Sequence, residues 1–319
     1  MNVTRNLKNP RRAVYMVGAV TKKTLPVPLA KLLAAGNRVS MPNAVNIPTY
    51  DGSGQACHPT VSVFQGKTYM ACTPYPYGGE HYENPCLYVW EPDSSRWEPV
   101  PGVFPLVRPQ RLGFEHYSDP RLFQRDGDLV LLFRKNERYP KRTAELLYTA
   151  TTKDGEIWTA PRLFAEGKED ALISPAVVGS FLFCVEREIP RDANSSTRIV
   201  RYALDGPFGL GERAVCRVEG LEQDFFVWHR DCATRPDGTV RGLFMLQKKY
   251  KTPGQSKLAL FHYDPEKNLW RLERGLPPTE AEQSAVAFVY KSCFTEDPNL
   301  ILCSACDQRG RWFLYEKKI

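Results

Sequence analysis

The chain has 319 residues, 42 % hydrophobic and 25 % charged, a balance that excludes disordered and fibrous classes. No run of about 18 apolar residues occurs, so membrane insertion is not expected. The net charge of +7 admits an acidic partner, but no nucleic-acid motif accompanies it and nucleic acid is not an expected partner.

In chain order, residues 1–50 differ from the rest. MNVTRNLKNPRRAVYM lacks the apolar core of a signal peptide, so synthesis in a cytoplasm is expected. Arg5, Lys8, Arg11 and Arg12 cluster here without an evident core. A short helix is predicted over Pro28–Ala35, and strands over RAVYMVGAV and RVSMPNAV. The segment reads as an arm or strap that contacts other subunits of an assembly, and one of its strands can close the sheet formed by the chain's other end.

From residue 51 onward a repeat sets in. Polar residues open short apolar runs at His58, Asp119, Ser174, His229 and Ser292, with spacings of 61, 55, 55 and 63 residues. Aromatics follow turn-rich tetrapeptides at Trp97, Trp158, Phe208, Trp270 and Trp312, and read as packing between repeats. Asp-Gly at 127, 155, 206 and 238 marks tight turns. Each unit reads as about four strands: TVSVF, TYMACT, CLYVW and RWEPV in the first; AVVG, FLFCVERE, RIVRYAL and AVCRV in the third. A repeat of this length built from strands and turns predicts an all-β, five-bladed β-propeller over residues 51–319, preceded by the N-terminal arm. Nine cysteines lie mostly inside apolar runs and read as buried thiols. Cys303 and Cys306 form a CxxC without a second ligand pair, so no metal and no cofactor are expected.

The openers supply the candidate chemistry. His58, Asp119 and Ser174 each precede a proline, which starts a strand and is expected to hold the preceding residue extended. The five openers are predicted to form a polar ring at the axis. TPYPYGGEHYENP, with Tyr75, Tyr77, His81 and Tyr82, reads as a loop on which sugar rings stack.

These openers and turns resemble the five-bladed propellers of arabinanase, β-xylosidase and levansucrase-type glycoside hydrolases. The segments Tyr82-Glu83-Asn84-Pro85, Ser118-Asp119-Pro120, Ile173-Ser174-Pro175 and Tyr290-Lys291-Ser292 look closer still to phage-encoded and bacterial propeller proteins of uncertain activity. The resemblance implies a carbohydrate ligand. It puts His58 where those hydrolases carry an aspartate base, Asp119 on their second-blade aspartate, and Ser174 where they carry a glutamate acid. Glycoside hydrolysis needs two carboxyls about 5 Å or about 6.5–9.5 Å apart. His58 can serve as a base, but a substitute acid has to come from Glu83, Asp231, Glu186 or Glu188. The expected catalytic set, if the chain is active, is Asp119, His58, Glu83 and Asp231. The expected ligand-binding set is His58, Tyr82, Asn84, Asp119, Ser174, His229 and Ser292. The expected function is a glycan-recognising subunit with a degenerate glycosidase-like site, part of a phage virion through residues 1–50. An active glycosidase on a cell-surface polysaccharide and a purely structural virion protein are the alternatives.

Overall fold

A computed structural model describes residues 41–107, 115–137, 144–168, 171–187, 197–204, 209–235, 237–248 and 256–319. The expected helix at 28–35, the basic cluster, Phe208 and Glu188 lie outside the described residues.

The structure is a five-bladed β-propeller. Blade 1 is Ala56–Phe64, Lys67–Pro74, Cys86–Glu91 and Arg96–Pro99. Blade 2 is Glu115–Arg125, Asp128–Glu137, Ala144–Thr152 and Arg162–Lys168. Blade 3 is Ile173–Val178, Phe181–Arg187, Thr197–Leu204 and Leu210–Val215. Blade 4 is Phe225–Thr234, Val240–Lys248, Ser256–Asp264 and Leu269–Leu276. Blade 5 is Phe288–Phe294, Leu300–Cys306 and Trp312–Lys318, completed by Ala44–Val45 from the N-terminal side. Within each blade consecutive strands pair antiparallel.

One detail departs from the expected layout. AVCRV is not one strand: it breaks after Val215, and Arg217–Glu219 crosses to pair parallel with the outer strand of blade 4. The closing strand expected within RVSMPNAV is present as Ala44–Val45, and the packing continues beyond it to residue 50. Ile47 is buried with Val45 and Tyr50 against Met70, Tyr88 and Leu314, so this stretch is packed into blades 1 and 5.

The first strand of every blade touches the first strands of both neighbouring blades, and the fifth meets the first, which closes the ring. Five apolar clusters fill the five seams between blades. Each blade is too thin to bury both faces alone, so the seams are where the core lies. Trp270 is fully buried between blades 3 and 4, and Trp158 packs in the seam of blades 1 and 2. Trp97 packs against Trp90. Trp312 breaks the expected series. It sits on the third strand of its blade, because blade 5 takes its fourth strand from the other chain end, and its ring meets Tyr75 and Tyr290.

Candidate functional site

Every inner strand carries a register shift at the same depth, between Cys57 and Thr60, Ser118 and Arg121, Ile173 and Ala176, Val227 and His229, and Val289 and Ser292. In blades 1 to 3 the residue before proline is not extended. His58, Asp119 and Ser174 have φ of 54°, 53° and 50°. The bulge overrides the usual preference before proline, and a left-handed non-glycine residue is a strained arrangement that recurs at functional sites. The bulge turns these side chains out of the strand's alternation and toward the axis.

Asp119 lies at the centre, fully buried. Its Oδ1 is 3.8 Å from His58 Nε2, 3.6 Å from His229 Nδ1 and 3.6 Å from Lys291 Nζ. Its Oδ2 is 2.9 Å from Arg134 Nη2, and Arg134 is braced on its far side by Glu145 at 2.9 Å. Burial opposes ionisation of Asp119, but Arg134 and then Lys291 hold its carboxyl well below the usual range. Burial likewise pushes the His58 imidazole down to about 3 and takes His229 well below its ordinary value. Both rings are therefore neutral. His58 Nε2 and both His229 nitrogens are buried and make no hydrogen bond.

On its other edge, His58 Nδ1 is 3.2 Å from Thr73 Oγ1 and 3.3 Å from Glu83 Oε1. The Thr73 hydroxyl donates to Cys57 O at 3.4 Å, so its oxygen is left as the acceptor for a proton on Nδ1, the tautomer that leaves Nε2 bare toward Asp119. Glu83 Oε2 lies 3.3 Å from His116 Nε2. Burial, and then the charge on Asp119, push the Glu83 carboxyl well above the usual range. Glu83 and Asp119 thus sit on opposite edges of one imidazole ring, with that ring filling the space between them.

The other expected site residues take varied positions. Asp231 is ion-paired with Arg121 of blade 2 and accepts a hydrogen bond from Phe294 N at 3.0 Å. Arg121 also donates to Cys232 O at 2.8 Å, so it spans from blade 2 to blade 4. Ser174 staples blade 3 to blade 4: its hydroxyl donates to Arg230 O at 2.9 Å and accepts from Arg230 N at 3.2 Å. Asn84 is buried and accepts from Val107 N at 3.1 Å, a loop-holding role. Tyr82 packs against the His81 ring at a tilt of 42°, and its carbonyl accepts from Tyr50 Oη at 2.7 Å. Glu186 lies apart from the centre, bonded to Tyr202 and Arg213. Ser292 is displaced from the ring. Its hydroxyl donates to Tyr290 O at 3.3 Å, and blade 5 instead presents Tyr290 and Lys291. The Tyr290 ring is 4.4 Å from that of His229 and 5.2 Å from that of His58. Lys291 donates to Pro120 O at 3.2 Å across the axis.

His58, Asp119 and His229 form a group of possible metal-ligating side chains that the reading of the CxxC did not consider. Their ligand atoms lie within 4.8 Å of one another. They come from three blades, and spacing rules for metal motifs do not register a triad of that kind. Cys303 and Cys306 join no such group among the described residues.

No protein-family profile matches this chain, and no curated protein is similar to it in sequence. Solved structures are similar in fold. An N-acetylgalactosamine deacetylase from F. plautii, in complex with blood group B trisaccharide, superposes with a TM-score of 0.67 at 16 % identity, over 86 % of this chain and 93 % of that one. A family-43 enzyme from Xanthomonas citri complexed with xylotriose gives 0.58 at 14 % identity, over 86 % and 90 %. A thermostable family-43 glycoside hydrolase gives 0.57 at 10 %, over 83 % and 89 %.

Proposed function

We propose that this chain is a glycan-recognising propeller that lacks glycosidase chemistry, holds a divalent cation on His58, Asp119 and His229, and acts there on an acyl group of a bound sugar. The observation that carries this reading is the position of His58. Its ring occupies the space between Glu83 and Asp119, where a glycosidic bond would have to lie for the two carboxyls to flank it. Asp231 is no substitute, because Arg121 holds it as an ion pair.

The donor set fits a cation. Two ligands about 2.1 Å from a tetrahedral ion are roughly 3.4 Å apart. Asp119 Oδ1 is 3.6 Å from His229 Nδ1 and 3.8 Å from His58 Nε2, and both nitrogens are neutral and unbonded. When bound, such a cation supplies Lewis acidity toward an acyl carbonyl oxygen. The chain's own residues supply the rest. Glu83 and Thr73 orient His58 through Nδ1, as outer partners do for a ligating imidazole. Arg134 fixes the Asp119 carboxylate from behind. Tyr290 lies against both imidazoles and excludes water from that flank. One of the similar structures is described as a deacetylase, which agrees with acyl rather than glycosidic chemistry.

The test starts from chelator-treated protein titrated with Zn²⁺ and Mn²⁺ by calorimetry. One equivalent is expected for the wild type, and none for Asp119→Asn or His229→Ala. Loaded protein is then offered N-acetylated and O-acetylated oligosaccharides beside aryl glycosides, with acetate release expected and aryl release absent. Aryl-glycoside turnover that Glu83→Gln abolishes would overturn the reading in favour of a glycosidase. The proposal also keeps the virion setting, supported by the basic, proline-punctuated composition of residues 1–40. The full chain is expected to co-purify with assembled particles and to be lost from them when residues 1–40 are removed.

A further inference from the structure

We infer that the seam between blades 3 and 4 encloses a small monovalent anion of chloride size, held by the guanidinium of Arg230. The inference needs neither the axial cation nor a glycan, so it stands or falls apart from the function proposed above. Arg230 lies on the inner strand of blade 4, between His229 and Asp231, and is 1 % exposed. Ser174 of blade 3 holds both its backbone N–H and its carbonyl. Its Nη1 donates to the Cys232 sulfur at 2.9 Å, and its Cζ lies 5.5 Å from the centre of the Phe183 ring. Its Nε and Nη2 are buried and make no hydrogen bond.

Nε and Nη2 form one edge of a guanidinium, with two parallel N–H bonds suited to an anion. Elsewhere in the chain the same edge grips a carboxylate. Arg213 uses it on Glu186, and Arg241 uses it on Glu273 at 2.9 and 2.6 Å. Around the axis the carboxylates are committed to other cations: Asp231 to Arg121, Asp119 to Arg134 and Lys291, and Glu145 to Arg134. Among the described residues Arg230 therefore has no carboxylate partner. Three buried thiols feel its charge, Cys184, Cys216 and Cys232, but burial pushes each of them up, so none supplies a negative charge. A guanidinium cannot shed its proton as a buried lysine or histidine does, and an unpaired charge in an apolar seam is costly. Phe183, Val185, Ile199 and Phe244 belong to that seam. An aromatic face offsets part of the cost but leaves the two N–H groups unsatisfied. A spherical anion accepts from both at once and brings the local charge to zero. Because Arg230 is closed to solvent, its partner is a small ion enclosed as the blades pack, not part of a sugar.

The test uses the full chain and compares thermal unfolding in sodium chloride, sodium bromide and sodium gluconate at equal ionic strength. Chloride and bromide are expected to raise the wild-type midpoint by about 2–4 °C over gluconate, with a concentration dependence set by binding to the folded state. In Arg230→Met the three salts should give one midpoint. Should that variant not fold, the wild type crystallised from bromide decides: anomalous density is expected within hydrogen-bond distance of Arg230 Nε and Nη2. Equal wild-type midpoints in chloride and gluconate would overturn the inference. So would a chloride response that survives in Arg230→Met. Bromide found on the protein surface alone would show an adventitious ion only, and equally overturn it.

Discussion

The centre of the molecule is controlled by what burial does to each charge. His58 and His229 are forced neutral, Glu83 is forced toward its acid form, and Asp119 alone is kept ionised by Arg134 and Lys291. The imidazoles make stability depend on pH with a definite sign. An unfolded His58 takes a proton near its ordinary value of 6.5, whereas the folded one resists until about 3. The unfolded state therefore binds more protons below pH 6.5, and stability falls as pH drops through that value toward 3. For His58 alone the loss reaches about 2 kcal/mol at pH 5. Denaturant midpoints of chelator-treated protein should fall between pH 7 and pH 5. The fall should be smaller in His58→Gln, with His229→Gln as the second variant if the first does not fold. The raised Glu83 carboxyl acts in the opposite sense over the same window, so the rings' contribution is read as the difference between the variant and wild-type profiles, and identical profiles would mean that the rings are hydrated and not held neutral.

At the scale of strands and turns, the repeat was legible because each blade spells out the same alternation of apolar run and turn. The positions of His58, Asp119 and His229 followed from it. Tyr290 and Lys291 did not, because a bulge inserts residues without changing the hydrophobic pattern, so counting along YKSCF stopped at Ser292 instead. The left-handed backbone at His58, Asp119 and Ser174 was hidden for a related reason: proline predicts the opposite for its predecessor unless the strand is already bulged. Arg134 and Glu145 escaped because a charge at the end of an apolar strand looks the same whether it meets solvent or a buried partner. The turns themselves carry energy between blades. Gly155 has a φ of 79°, and a Cβ there would stand 2.0 Å from Tyr69 Oη of blade 1. Gly155→Ala should cost about 2–4 kcal/mol by combined strain and overpacking. Tyr69→Phe in the same background should recover part of that cost in thermal unfolding. No loss in the single variant would show that this turn does not bear on blade 1.

Across the whole molecule, what the sequence could not show was where the arm ends and the propeller begins. Residues 43–50 take the closing role expected for one strand of the strap and hold the ring shut: Val45 pairs with Leu314, Glu316 N donates to Asn43 O at 3.0 Å, and Tyr88 Oη donates to Pro48 O at 2.7 Å. Removing residues 1–40 should leave the unfolding transition in place, whereas removing 1–50 should lower it sharply or abolish its cooperativity. Equal transitions for the two truncations would make the closing strand dispensable. All nine cysteines are unpaired, so no covalent bond assists the closure. Closure by strands far apart in the chain also fixes an order of events during synthesis. Ala44–Val45 is made before its partner strand Trp312–Lys318, with all five inner strands between them. Until Trp312–Lys318 has been made, the closing pair cannot form, and the growing chain is an open arc with an incomplete seam between blades 5 and 1. A chain cut within Trp312–Lys318 would keep that arc open.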